Sequence, residues 1–249
     1  MATTHRYVMP LVIALAGQKG GVGKSTLAIS IAAEWHRRGV RVLLVDADDE
    51  QRTAVTWAEV ADEAGLDHPR CVPMGDGIRT EFVREIGREQ YDVVIVDTPG
   101  RVGTRTTYAL GVAHVALLPC GPSGPEIWAM AGTLEQAADV AAVTGLEVAI
   151  LITRRQPGTV LGRRVRVVLD DDTEVRVLDT ELDQRIAYAE AITGGYGPTT
   201  YDSNSDAARE VRRLITELEA RYDVHSMTVG TMGRRVARRL GLASNGRKR

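Results

Sequence analysis

Short, continuously apolar runs alternate along the chain with longer stretches whose apolar positions recur every three to four residues. The short runs, Leu11–Ala16, Arg41–Asp46, Arg70–Met74, Tyr91–Asp97, His114–Pro119 and Glu147–Thr153, read as β-strands. The clearest amphipathic stretches, Lys24–Arg38, Thr53–Ala64, Ile78–Glu89, Glu126–Val143, Asp183–Thr193 and Asp206–Tyr222, read as helices. Val93-Val94-Ile95-Val96 has no polar position, so that strand needs cover on both faces. Strand and helix in alternation predict an α/β fold, a doubly wound and mostly parallel sheet with helices on both faces. Asp170-Asp171-Asp172, with Thr173-Glu174, reads as a solvated turn between a helix and a short strand over Val175–Leu178. No internal repeat is present. From Thr228 to Arg249 the chain carries paired arginines, several glycines and no acid. The expected organisation is a lead-in over 1–10, one domain over 10–222, and a basic, mobile tail over 223–249.

Composition adds bounds rather than detail. A chain of 249 residues, 44% apolar and 26% charged, can bury one sheet on both faces. No run approaches the roughly 18 apolar residues of a membrane span. Met1–Arg6 is short and polar for a signal peptide, and the apolar stretch after it leads into a glycine loop, so a cytoplasmic location is expected. Cys71 and Cys120 are far apart without a CxxC, which signals neither a disulfide framework nor a metal cluster. They read as buried thiols. Net charge is −2, and arginine supplies nearly all the positive charge, because lysine occurs only at 19, 24 and 248. Two of those lysines share one glycine loop, which suggests a need there for a compact ammonium.

That loop holds the central chemistry. The strand ending at Ala16 runs into Gly17-Gln18-Lys19-Gly20-Gly21-Val22-Gly23-Lys24-Ser25-Thr26 and then a helix, the setting of a phosphate-binding P-loop. Glycines let successive backbone N–H groups turn inward around a polyphosphate, and the helix N-terminus adds its positive dipole end. Lys24 would meet the β- and γ-phosphates, Ser25 would place its hydroxyl on Mg²⁺, and Thr26 would reach the α-phosphate. Val42–Val45 delivers Asp46-Ala47-Asp48 to the carboxyl edge of the sheet, where open α/β folds bind ligands. The apolar strand before Asp97-Thr98-Pro99-Gly100 ends in an acid in the same way. The strict P-loop pattern fails at Gln18, which stands where the first glycine belongs.

The failure is informative, because Gln18 to Thr26 resembles the deviant Walker A loop of the ParA/MinD ATPases, whose defining feature is an extra lysine, here Lys19. The resemblance covers roughly residues 10–222 and is nearest to the ParF group of plasmid-partition ATPases. It implies a Mg²⁺- and ATP-dependent ATPase with Lys19, Gly20, Gly21, Val22, Gly23, Lys24, Ser25 and Thr26 around the nucleotide. It also implies that Lys19 crosses a dimer interface to act catalytically in the partner's site, that Asp48 orients the attacking water, and that Ser25, Asp46 and Asp97 serve the metal. Where the family continues with Pro-Gln, this chain reads Asp48-Asp49-Glu50-Gln51, one residue longer, so Asp49 competes with Asp48 as the base. Thr98-Pro99-Gly100 resembles switch II. Leu118–Trp128, with three prolines, is similar to the ParF assembly segment but equally suits a strand-to-helix connection. Ile150–Arg155 resembles the strand that ends near the purine, and Gly195–Pro198 is a candidate second wall.

The function so implied is positioning or segregation of plasmid or chromosome DNA. Its expected partners are a second copy in the ATP state, a higher-order polymer, a ParB- or ParG-like centromere-binding protein, and nonspecific DNA on the nucleoid. Arginines 163, 164, 166, 209, 212 and 213 are the candidate phosphate contacts. A MinD-like membrane cycle is a second reading, carried by a short basic amphipathic pattern over Met232–Ala243 that Gly233 and Gly241 weaken. A metabolic enzyme on the same loop is a third.

Overall fold

The computed structural model describes residues 10–75, 78–101 and 103–222. In chain order the strands are β1 Leu11–Leu15, β2 Val42–Asp46, β3 Arg70–Pro73, β4 Val93–Asp97, β5 Val115–Cys120, β6 Glu147–Arg155 and β7 Arg176–Asp183. Between and after them lie α1 Lys24–Arg37, α2 Thr53–Glu63, α3 Ile78–Arg88, α4 Thr104–Val112, α5 Gly124–Thr144, α6 Val160–Asp172, α7 Ile186–Thr193, the single turn α8 Pro198–Tyr201, and α9 Asp206–Arg221. The strands form one sheet in the order β3-β2-β4-β1-β5-β6-β7, and each pairing is parallel.

Side chains alternate along each strand, so one strand feeds two cores. Leu11, Ile13 and Leu15 of β1, with Val93 and Ile95 of β4, pack on α1, α2 and α9 through residues such as Ile29, Trp35, Trp57 and Leu214. Val12 and Ala14, with Val94 and Val96, pack on the opposite layer through Phe82, Ile86, Leu110 and Met130. This is the expected double winding. Among the described residues no helix is long and apolar enough to cross a membrane.

Three departures from the sequence reading have local causes. The strand expected over Val175–Leu178 runs on to Asp183, because Leu178 and Leu182 both fill the core under α9 and the chain must stay extended between them. The helix expected from Asp183 therefore starts only at Ile186. Asp170–Asp172 belongs to the last turn of α6 rather than to a turn. Acids at a helix C-terminus oppose the helix dipole, which is why the triplet reads as a terminator in sequence. The expected tail over 223–249 and the lead-in over 1–9 lie outside the described residues.

One buried group makes the sheet acid-sensitive. His114 precedes β5, is 6% exposed, and accepts the N–H of Val12 through Nδ1 at 3.0 Å. Only the neutral ring can accept, and burial pushes its pKa from 6.5 down to about 4. The folded-state value lies below the unfolded one, so the stabilisation is complete above 6.5 and is lost as pH falls towards 4. Linkage puts the loss between pH 7 and pH 5 at about 2 kcal/mol. Urea titrations of the wild type and of His114→Asn, whose side-chain oxygen keeps an acceptor without titrating, should show the slope in the first and a shallower one in the second.

Candidate functional site

Parallel strands place their carboxyl ends on one edge, and β1 is the point from which the chain winds outward in both directions. The crevice above such a switch point is where this architecture holds ligands, and residues 16–23 fill it. Gly21 and Gly23 have φ of 75° and 92°, a left-handed conformation that a side chain would strain, and Gly23 opens α1. Gln18, in place of the usual first glycine, donates its N–H to Thr133 Oγ1 at 3.2 Å and anchors the loop to α5. A cavity of about 580 Å³ opens beside the loop, lined by Gly20, Gly21, Gly23, Lys24, Ser25, Thr26, Asp48, Glu50, Thr98, Gly100 and Arg101 among others. A larger concavity of about 940 Å³ lies between β7 and α9, but Arg155 and Arg185 there are already paired with Glu181, Asp183 and Glu210.

β2 and β4 are neighbours with Asp46 opposite Asp97, so two carboxylates reach the same edge. Their environments differ. Asp46 accepts the N–H groups of Asp48 at 3.0 Å, Ala54 at 2.9 Å and Val55 at 3.1 Å, capping α2 from a distance. Burial nevertheless raises its pKa, only partly offset by those three donors. Asp97 is 1% exposed, and neither of its oxygens makes a hydrogen bond of regular geometry. Burial pushes its pKa up to about 7, against the smaller opposing effects of the Ser25 hydroxyl and the Lys24 ammonium beside it. Two unsatisfied buried oxygens behind a serine hydroxyl fit a hydrated divalent cation. Lys24 is itself buried, which lowers its pKa, while Asp97 and Asp48 counter that effect.

The loop after β2 separates the two candidate bases. Asp48 lines the cavity and accepts the Gln51 N–H at 3.2 Å. Asp49 is outside that lining and forms a two-pronged pair with Arg105 of α4, one prong at 2.7 Å, and that guanidinium holds its pKa below the ordinary range. The extra residue is thus spent on an ion pair, and the geometry keeps Asp48 at the phosphate loop.

Lys19 lies on the far side of its own loop. Its ammonium, 44% exposed, is 3.6 Å from Glu126 at the start of α5. Glu126 is held by Arg154 and by the Gly121 N–H at 2.8 Å, and against the effect of burial Arg154, Lys19 and that N–H keep its pKa low. Lys19 is not among the residues lining the phosphate cavity. The proline-rich segment is the strand-to-helix connection, with Pro125 in the first turn of α5 and Trp128 74% exposed.

On the other flank of the loop a smaller cavity, about 240 Å³, is walled by Gly21, Val22, Thr26, Leu27, Thr153, Arg154, Leu182, Gln184 and Tyr188 among others. Its position next to Thr26 and its size suit a nucleobase. Thr153 and Arg154 belong to the Ile150–Arg155 stretch that the resemblance expects to end near the purine. Leu182, Gln184 and Tyr188 are not expected beside it, because the end of β7 reads as the start of a helix. Gly195–Pro198 is elsewhere: Gly195 abuts Ala61, Gly197 abuts Ala33, and the Tyr196 carbonyl accepts the Trp57 Nε1–H at 3.1 Å.

Residues 13–198 match the model of the CobQ/CobB/MinD/ParA nucleotide-binding domain, most of the chain. The chain belongs to this family. Among curated relatives it is 32% identical over 240 residues to the chromosome-partitioning ATPase Soj of Thermus thermophilus, covering 84% of this chain and 95% of that protein. It is 27% identical to the maintenance of carboxysome distribution protein A of Halothiobacillus neapolitanus, covering 83% and 95%. Among solved structures, cobyrinic acid a,c-diamide synthase from Mycobacterium smegmatis, determined with a bound ATP analogue and magnesium, superposes with a TM-score of 0.62 at 25% identity, covering 74% of this chain and 93% of that one. The parallel sheet with a glycine loop between its central strand and the first helix is therefore that of a nucleotide-binding domain of this family.

Proposed function

We propose that this protein is a ParA-type ATPase that binds Mg²⁺ and ATP, dimerises around the nucleotide, and uses hydrolysis to position DNA or another cargo through a cargo-bound partner protein. The observation that carries this reading is Lys19. A loop already served by Lys24 has no use for a second lysine turned away from its own cavity, whereas a second copy facing that cavity does. Lys24, the loop N–H groups and Thr26 would hold the phosphates, and Ser25 with Asp97 would hold the metal, Asp46 supporting from behind through its cap on α2. The metal supplies charge neutralisation at the transferred phosphoryl. Asp48 would orient the attacking water and Lys19 of the partner copy would offset the charge developing on that phosphoryl. The sequence relatives that are positioning proteins favour cargo movement over the metabolic alternative that cobyrinic acid a,c-diamide synthase represents. The amphipathic pattern behind a membrane cycle lies outside the described residues.

DNA is the surface on which such a dimer would be held. Of the six candidate arginines, Arg166 is spent internally on Glu181 at 2.7 Å and the Leu178 carbonyl at 2.7 Å. Arg164 on α6 and Arg213 on α9 are exposed, Arg163 and Arg212 hold backbone carbonyls near their surfaces, and Arg209 holds one as well as an ion pair with Asp206. If about four of these neutralise phosphates, affinity falls about a hundredfold for a fourfold rise in salt. Co-sedimentation with random-sequence duplex DNA should show such binding with ATP and little with ADP, and none in Lys24→Ala with either nucleotide. Equal binding in the ATP and ADP states would reject the switch.

A further inference from the structure

The acidic run Asp48-Asp49-Glu50 after β2 makes two distinct links. Glu50, immediately after Asp49, pairs with Arg101 at 2.6 Å, so the loops following β2 and β4 are joined across the phosphate cavity. The two links differ in kind. Arg105, at the Asp49 link, is 13% exposed and set in α4, whereas Glu50 and Arg101 are 61% and 56% exposed. The first is an anchor; the second is open to exchange with solvent or with a competing anion.

Arg101 is also well placed for a phosphate. Lys24 and Arg101 are the two cationic side chains lining that cavity, and Gly100 packs directly on the phosphate loop, a Cβ there falling 3.4 Å from both Gly20 and the Lys24 ammonium. A bound triphosphate brings about four negative charges, of which a divalent cation and Lys24 offset about three. One more cation at the terminal phosphate would balance the site, and a guanidinium can meet two phosphate oxygens at once. A diphosphate lacks the group that would reward the move.

We propose that Arg101 contacts the terminal phosphate of a nucleoside triphosphate bound to its own chain, and that Glu50 holds it aside when that phosphate is absent. The inference rests on the cavity being the ATP site. Arg101 thus distinguishes triphosphate from diphosphate in cis, while Lys19 acts in trans. Exchange of partners releases Glu50 only in the triphosphate state, while Asp49 stays anchored on Arg105.

The test is the ratio of affinities for the β,γ-imido analogue of ATP and for ADP, both with Mg²⁺, measured by calorimetry on the full chain. A Lys19→Ala background keeps dimerisation out of the signal. Arg101→Ala should lower the preference for the triphosphate about tenfold while changing ADP affinity less than about twofold, the scale of one lost charge-assisted hydrogen bond. Arg101→Lys should fall between. Glu50→Gln should raise the preference by about threefold, since it removes the competitor. An unchanged ratio in Arg101→Ala, or a fall in the ratio in Glu50→Gln, would overturn the inference. Failure of the parent protein to bind either nucleotide would instead remove the ATP-site reading beneath it.

Discussion

Asp48→Ala should bind ATP as the wild type does, form the ATP-dependent dimer, and lose turnover by about a hundredfold to ten-thousandfold, the range for a group that positions or deprotonates a nucleophile. Binding survives because the phosphates are held by Lys24 and the loop backbone, neither of which is hydrogen-bonded to the Asp48 side chain; that side chain accepts the local Gln51 N–H at 3.2 Å, and Lys24 keeps Asp97 beside it. The fold survives because Asp46, not Asp48, caps α2. Asp49→Ala is the control. It breaks the pair with Arg105, whose carboxylate partner is open to solvent and makes no contact with the phosphate cavity, and should change turnover by no more than a few-fold. Single-turnover phosphate release alongside dimer formation by light scattering separates the two variants. If Asp49→Ala stops hydrolysis while Asp48→Ala proceeds, the extra residue has shifted the catalytic acid by one.

How far the chain can be read without coordinates follows from where each signal originates. The phosphate loop was legible because its residues act through backbone geometry, and backbone geometry constrains sequence locally: glycines at 21 and 23 are needed where φ is positive. The two acid-tipped strands were legible for a similar reason, since a strand buried on both faces is apolar until it ends. The roles of Asp46 and Asp49 were not, because each depends on what another element places opposite. Two of the three donors to Asp46 come from α2, and the cation on Asp49 comes from α4, whose sequence Thr104–Val112 carries weak apolar periodicity and is not among the clearest amphipathic stretches. The cavity beside Thr26 was hidden for a third reason. Its walls include the end of β7, where the apolar residues Leu178 and Leu182 stand four apart, a spacing that suits a helix as well as one face of a strand until both are seen on one core.

Lys19→Ala should bind ATP as a monomer yet neither dimerise with ATP nor hydrolyse it, a loss of about a thousandfold or more if the ammonium does the work of an arginine finger. Binding is spared because Lys19 is not part of its own cavity lining; its salt bridge is to Glu126 at 3.6 Å, and Glu126 keeps Arg154 and the Gly121 N–H when that lysine is removed. Loss of turnover alone would not prove action in trans, since a misplaced loop could do the same. Mixing Lys19→Ala with Asp48→Ala decides it. In a two-fold dimer each site is built from one copy's loop and the other copy's Lys19. The Lys19→Ala copy keeps its own Asp48 and receives Lys19 from its partner, so one of the two sites in a mixed dimer is whole. Equal mixing makes about half of the dimers mixed, each with half its sites intact, so up to about a quarter of wild-type activity should return. Were Lys19 to act within its own chain, every site in the mixture would lack either Lys19 or Asp48, and activity would stay at the level of the separate variants even where cross-linking shows mixed dimers.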